Sequence, residues 1–64
     1  MTQKELLYVE DAIGHEDNII NICNETSCML EDDNLVRFIN DEIKKHTKTK
    51  EMLIKLLEDK EDEW

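Results

Sequence analysis

Apolar residues recur at helical spacing in two separate stretches of this chain. In the first stretch, Thr2 can cap a helix and Glu5, three residues later, can reach back to it, as in a capping box. The apolar residues that follow share one helix face: Leu6, Val9, Ile13, Ile20 and Cys23, flanked by Ala12 and Ile19. This pattern predicts an α-helix over residues of about 3–28. Gly14 costs such a helix up to about 1 kcal/mol relative to alanine, so we expect it to mark a close helix contact.

The second stretch follows a cluster of turn and N-cap residues, Glu31–Asn34, whose acids suit the positive N-terminus of a helix. Its apolar residues again share one face: Leu35, Phe38, Ile39, Ile43, Leu53, Leu56 and Leu57, flanked by Val36, Met52 and Ile54. We predict a turn over about 29–33 and a helix over about 34–60. The charged end, Glu58–Trp64, is expected to fray, with Trp64 available for a contact.

Two helices of about 25 residues, each roughly 40 Å long, predict an all-α fold, an antiparallel two-helix hairpin forming one domain over residues 1–64. The chain has no proline, one glycine and 39% charged residues, a composition typical of long helices. A hairpin this small covers only part of each apolar stripe. We therefore expect two copies to dimerise into a ferritin-like four-helix bundle, or another helical protein to supply the missing helices.

The charge balance changes the expected partners. The chain has 17 acidic and 8 basic residues and a formal net charge of −9. Nucleic acids and anionic lipid surfaces attract basic patches, so we expect neither a nucleic acid nor a membrane as partner. The N-terminus carries acids where a signal peptide has an apolar core. We expect a protein that is not secreted and that is cytoplasmic or part of a structure assembled in the cytoplasm.

Three ionisable residues interrupt the apolar stripes. At 100° per residue, Glu16 falls at the centre of the first stripe, and Glu42 and His46 fall at the centre of the second. With the turn near residue 31 or 32, antiparallel register brings the three to the same height. Isolated charges are costly to bury, so these residues should pair with one another or with a cation. The interpretation we favour is a structural ion pair that fixes register and partner choice.

The alternative for the same three residues is a metal site. A Glu from one helix with a Glu and a His from the next forms half of a ferritin-like di-metal centre, which a dimer would complete for iron, manganese or zinc. That pattern places Glu and His three residues apart, whereas Glu42 and His46 are four apart and Lys45 occupies the His position. The chain has no glycine-rich phosphate loop, serine elbow or cysteine–histidine signature, so we expect neither an enzyme nor a resident cofactor.

Several short segments together resemble the spore coat protein F family, which comprises small helical proteins of endospore-forming bacteria with a ferritin-like arrangement. The segments span most of the chain: Thr2–Leu7, Val9–Asp11, His15–Glu16, Ile43–His46 and Met52–Leu53. The resemblance implies a role in the spore coat or in sporulation, by assembly rather than catalysis. The chain departs from the family at Thr49, where members often have a second histidine, and at residues 24–26, where they often have tyrosines.

Three hypotheses follow from the sequence. The leading one is a structural protein that self-associates, as a homodimer or with another coat-type helical protein. The second is a ferritin-like di-metal protein that uses Glu16, Glu42 and His46. The third is a small signalling hairpin that docks on a sporulation regulator, although the Ser-Gln-Glu-Leu-Asp signature of such hairpins is absent.

Overall fold

The protein is an antiparallel pair of α-helices. The computed structural model describes residues 1–60, with α1 over Gln3–Met29 and α2 over Asp33–Lys60. The predicted all-α antiparallel hairpin is confirmed, and α1 ends one residue later and α2 begins one residue earlier than expected. Residues 61–64, including the contact expected of Trp64, lie outside the described part.

The start of α1 has the predicted capping box. The Glu5 backbone N–H donates to Thr2 Oγ1 at 3.1 Å, and the Thr2 backbone N–H donates to Glu5 Oε1 at 2.9 Å. These two bonds satisfy backbone donors that a helix start leaves without intrahelical partners. The backbone N–H of Thr2, and then the hydrogen bond to the Thr2 side chain, hold the pKa of the Glu5 carboxyl below its ordinary value, since they stabilise its ionised form.

The turn between the helices is short and ends on a cap. Leu30 leaves the helical conformation with an extended backbone, at φ −89° and ψ 141°. Asp32 then caps α2, because its Oδ1 accepts from the backbone N–H groups of Asn34 at 2.8 Å and Leu35 at 3.3 Å. No residue from 1 to 60 has a positive φ, so the reversal needs no glycine.

One row of half-buried residues on each helix faces the other helix, in alternating steps of three and four residues. We call these two rows the facing seam: Leu6, Val9, Ile13, Glu16, Ile20, Cys23, Ser27 and Leu30 with Val36, Ile39, Ile43, His46, Lys50, Leu53 and Leu57. Among the described residues none is fully buried. The hairpin measures 48 × 15 × 10 Å, so it is one helix thick.

Two details of the sequence interpretation are wrong. The sequence pattern places three residues on the same helix face as Ile39: Leu35, Phe38 and Leu56. In the structure 42–60% of their surface is exposed, and they lie beside the facing seam. Gly14 marks no close helix contact, because a Cβ added there would meet nothing within 4 Å.

Candidate functional site

The structure brings together the three ionisable residues that interrupt the apolar stripes. His46 Nδ1 lies 2.6 Å from Glu16 Oε2 across the hairpin, and His46 Nε2 lies 3.8 Å from Glu42 Oε2 one turn earlier on α2. The His46 ring therefore stands between two carboxylates. We call Glu16, Glu42 and His46 the carboxylate–imidazole cluster.

Helix periodicity and register explain why the cluster forms. Glu16 follows Ile13 by one step along the facing seam of α1, and His46 follows Ile43 in the same way on α2. The side chain of Glu16 is only 16% exposed, against 30% for His46 and 29% for Glu42. Glu16 is thus the carboxylate that most needs a partner inside the hairpin.

The chemistry of the cluster depends on the protonation of its imidazole. A neutral imidazole can donate from only one ring nitrogen, whereas an imidazolium donates from both. An imidazolium at His46 could therefore face both carboxylates with a donor. Lys45 places a cation beside Glu42, with Nζ 3.4 Å from Oε1, but its side chain is 73% exposed and the pair contributes little.

No group of three or more His, Cys, Asp and Glu side chains within residues 1–60 is arranged to hold a metal ion. A single hairpin offers one carboxylate from α1 with one carboxylate and one imidazole from α2. His15, the other histidine, is exposed and lies outside the cluster. The metal assignment of Glu16, Glu42 and His46 therefore stays a prediction about a dimer.

One side of the hairpin is lined with polar contacts, and we call it the polar side. Lys50 Nζ lies 2.5 Å from Asp17 Oδ1, and the Ser27 hydroxyl donates to Asn40 Oδ1 at 3.2 Å. Lys50 thus pairs with an acid of the first helix across the hairpin, while Lys45 pairs on its own helix. The other exposed residues of this side are mostly polar or charged, among them Asn21, Asn24, Arg37 and Lys44, with Leu7 as an apolar exception.

The opposite side carries a second row of residues on each helix, again in steps of three and four. We call these rows the outer seam: Tyr8, Ala12, His15, Ile19, Ile22, Thr26 and Met29 with Leu35, Phe38, Glu42, Lys45, Thr49, Met52 and Leu56. Its large apolar side chains are 36–75% exposed. In antiparallel helices the corresponding flanks of the contact lie on the same side, so the two rows form one face. Glu42 belongs to both this face and the cluster.

Sequence analysis missed the outer seam as a separate feature. The signal was present, because Tyr8, His15, Ile22 and Met29 are seven residues apart and Ile19 fills an intermediate step. A second heptad series beside the facing seam predicts that the helix packs against two neighbouring helices, whereas a single wide apolar stripe predicts only one neighbour.

Comparisons of the chain with protein-family models, curated proteins and solved structures gave no match. The resemblance to the spore coat protein F family therefore stays a hypothesis carried by the short segments themselves. Neither α1 nor α2, as far as residue 60, has a stretch long and apolar enough to cross a bilayer.

Proposed function

We propose that this protein is a structural assembly module that self-associates through the outer seam, in the spore coat as its resemblance to the coat protein F family suggests. The observation that carries the proposal is the contrast between the inside and the outside of the hairpin. None of the described residues is fully buried, while nine large apolar side chains are exposed.

A hairpin one helix thick lacks the second layer that normally closes a hydrophobic core. Covering apolar surface stabilises a fold by about 25 cal/mol per Å². Exposed apolar patches of this kind are typical of surfaces that bind other proteins. Because the apolar residues concentrate on one side, a second layer can cover them while the polar side stays in water.

Light scattering across a range of concentrations, combined with circular dichroism, tests the proposal. We expect a dimer or larger assembly whose helicity falls on dilution as the assembly dissociates. A chain that stays a folded monomer at every concentration would contradict it. Location in a spore is tested separately, by following a tagged chain through sporulation in an endospore-forming host.

A di-metal protein is the second candidate, favoured by the position of the carboxylate–imidazole cluster. The cluster lies on the same side as the outer seam, so an assembly through that seam would enclose two clusters in one interior. Metal analysis of the purified dimer tests this candidate. About two iron, manganese or zinc ions per dimer, lost in His46→Ala and kept in Glu10→Ala, would favour a metal centre of the kind in ferritin-like bundles.

A further inference from the structure

We infer that the occupant of the outer seam is a second copy of this chain, packed with its turn at the opposite end of the bundle. This inference rests on the proposed self-association and adds to it the orientation of the partner. In this arrangement Glu42 of each copy lies at the height of His15 of the other.

The register of the hairpin fixes which outer-seam residues lie side by side. The contacts of Glu16 with His46 and of Ser27 with Asn40 align the two helices along their length. Residues at matching heights are therefore paired from the open end to the turn: Tyr8 with Leu56, Ala12 with Met52, His15 with Thr49, Ile19 with Lys45, Ile22 with Glu42, Thr26 with Phe38 and Met29 with Leu35. The seam is apolar at both ends and polar between them.

Charge within the seam discriminates between the two ways of stacking a second copy. With both turns at the same end, Glu42 would lie at the height of Glu42 of the other copy. Like charges facing each other across an interface are unfavourable. With the turns at opposite ends, Glu42 instead lies at the height of His15 and Thr49 of the other copy. The two Lys45 side chains lie at nearly the same height in both orientations, so they do not discriminate between them, and each has Glu42 of its own chain 3.4 Å away.

Side-chain size supports the same orientation. Reversal places the large Phe38 of one copy at the height of Ala12 and Met52 of the other, so that the ring has one small neighbour, and it places Leu35 at the height of Tyr8 and Leu56. Packing of large against small side chains fills the space between facing helices. With the turns together, the two Phe38 rings would lie at one height and the two Ala12 residues at another.

Disulfide cross-linking tests the orientation in a Cys23→Ala, Cys28→Ser background whose helicity and mass match those of the unaltered chain. Leu35 and Leu56 are 21 residues apart on α2, about 30 Å along the helix. We expect a mixture of Leu35→Cys and Leu56→Cys chains to form mixed disulfide dimers. Neither variant alone should cross-link efficiently. The matched control is a mixture of Arg37→Cys and Glu58→Cys chains, with the same spacing on the polar side, which should not cross-link.

Each other outcome overturns a stated part of the argument. Efficient disulfide formation by Leu35→Cys alone would place both turns at one end, while self-association would stand. Equal cross-linking by the polar-side control would remove the outer seam as the interface. A monomer in light scattering would overturn the proposed function together with the inference.

A second measurement uses the unaltered protein and does not depend on the cysteine-free background. A zero-length carbodiimide reagent joins a lysine to a carboxylate only when the two are in contact. Lys4 and Asp33 of one hairpin are separated by the length of α1, about 40 Å. A link between Lys4 or Lys55 and the acids of the turn therefore has to join two copies. We expect such links by mass spectrometry, and links confined to one end of the hairpin would contradict the orientation.

Discussion

Glu16 and His46 meet at 2.6 Å although 30 residues separate them in the chain. Each interrupts a mostly apolar row, and each is placed in that row by helical periodicity. Their contact therefore reports the register of the whole hairpin, since a shift of one turn in one direction would bring Ile43 opposite Glu16 and a shift in the other would bring Lys50 there.

The contact gives a first prediction, for His46→Leu. The substitution leaves Glu16 partnerless at 16% exposure, so we expect a loss of about 1–3 kcal/mol in the free energy of unfolding. The double variant Glu16→Leu/His46→Leu should recover most of that loss, because an apolar pair can replace an ion pair of similar volume. Urea unfolding at one fixed protein concentration measures both values.

Lys45→Ala is the control for that cycle, because it removes an ion pair that is largely exposed. We expect a change of no more than about 0.5 kcal/mol. Equal losses in His46→Leu and Lys45→Ala, or a double variant as unstable as the single one, would show that Glu16 and His46 do not act as a pair.

The second prediction concerns the outer seam. Phe38 is 60% exposed in the hairpin, so Phe38→Lys should leave the isolated helices intact. In an assembly the same change would place a lysine in an apolar contact in each copy, and we expect dissociation constants at least about tenfold higher. Asn21→Lys adds the same charge on the polar side and should not weaken association. Sedimentation equilibrium measures the dissociation constants of both variants. An equal increase in the two would show that the added charge weakens association, and not its place in the outer seam.

The third prediction is that Gly14→Ala stabilises the chain. The added methyl group meets nothing within 4 Å, and alanine is better than glycine in a helix by about 1 kcal/mol. Gly14 lies next to the polar side, so the gain should appear without a change in association. Thermal unfolding at matched concentration measures it. A destabilised Gly14→Ala would indicate that another molecule approaches the backbone closely at this position.

The fourth prediction concerns pH and the capping box. The pKa of Glu5 is held below its ordinary value of 4.5 by the N–H donor of Thr2 and by the side-chain bond to the same residue. A carboxyl whose pKa is lower in the folded state stabilises the fold above its unfolded pKa. This contribution is lost as the pH falls through the folded value. Glu5→Gln should therefore be less stable than the unaltered chain near neutral pH, and the difference should vanish on acidification.

Thermal midpoints between about pH 3 and 7 measure that difference. Glu10→Gln, which alters an exposed carboxylate of α1 outside the cap, is the matched control. A stability difference for Glu5→Gln that stayed constant across the range would show that its carboxylate does not contribute through ionisation.

The sequence predicted the elements of this fold well, because each is encoded locally. Thr2 and Glu5 mark the start of α1, and the acids around Asp32 mark the start of α2. The meeting of Glu16 and His46 followed from these ends and from the helical period. It was harder to predict which residues of each helix face the other helix. Phe38 and Ile39 are neighbours on a stripe about 100° wide, and only the packed pair reveals that Ile39 faces α1 while Phe38 faces outward.

Gly14 shows a different limit of sequence reasoning. A glycine in a helix is consistent with a close contact, but the contact has to exist between particular surfaces, and the hairpin provides none there. The assignment of the carboxylate–imidazole cluster as a metal site likewise depends on contact with another molecule, since its missing ligands would have to come from a second copy.

The described part of the hairpin has no fully buried side chain, and this affects the fraction of chains that is folded in a cell. If order depends on a second copy, folding follows mass action, and the folded fraction rises with the amount of chain synthesised. Dilute chains would spend more time open and be degraded by proteases, whereas chains made together in quantity would protect one another. Expression level would then act as the trigger for assembly.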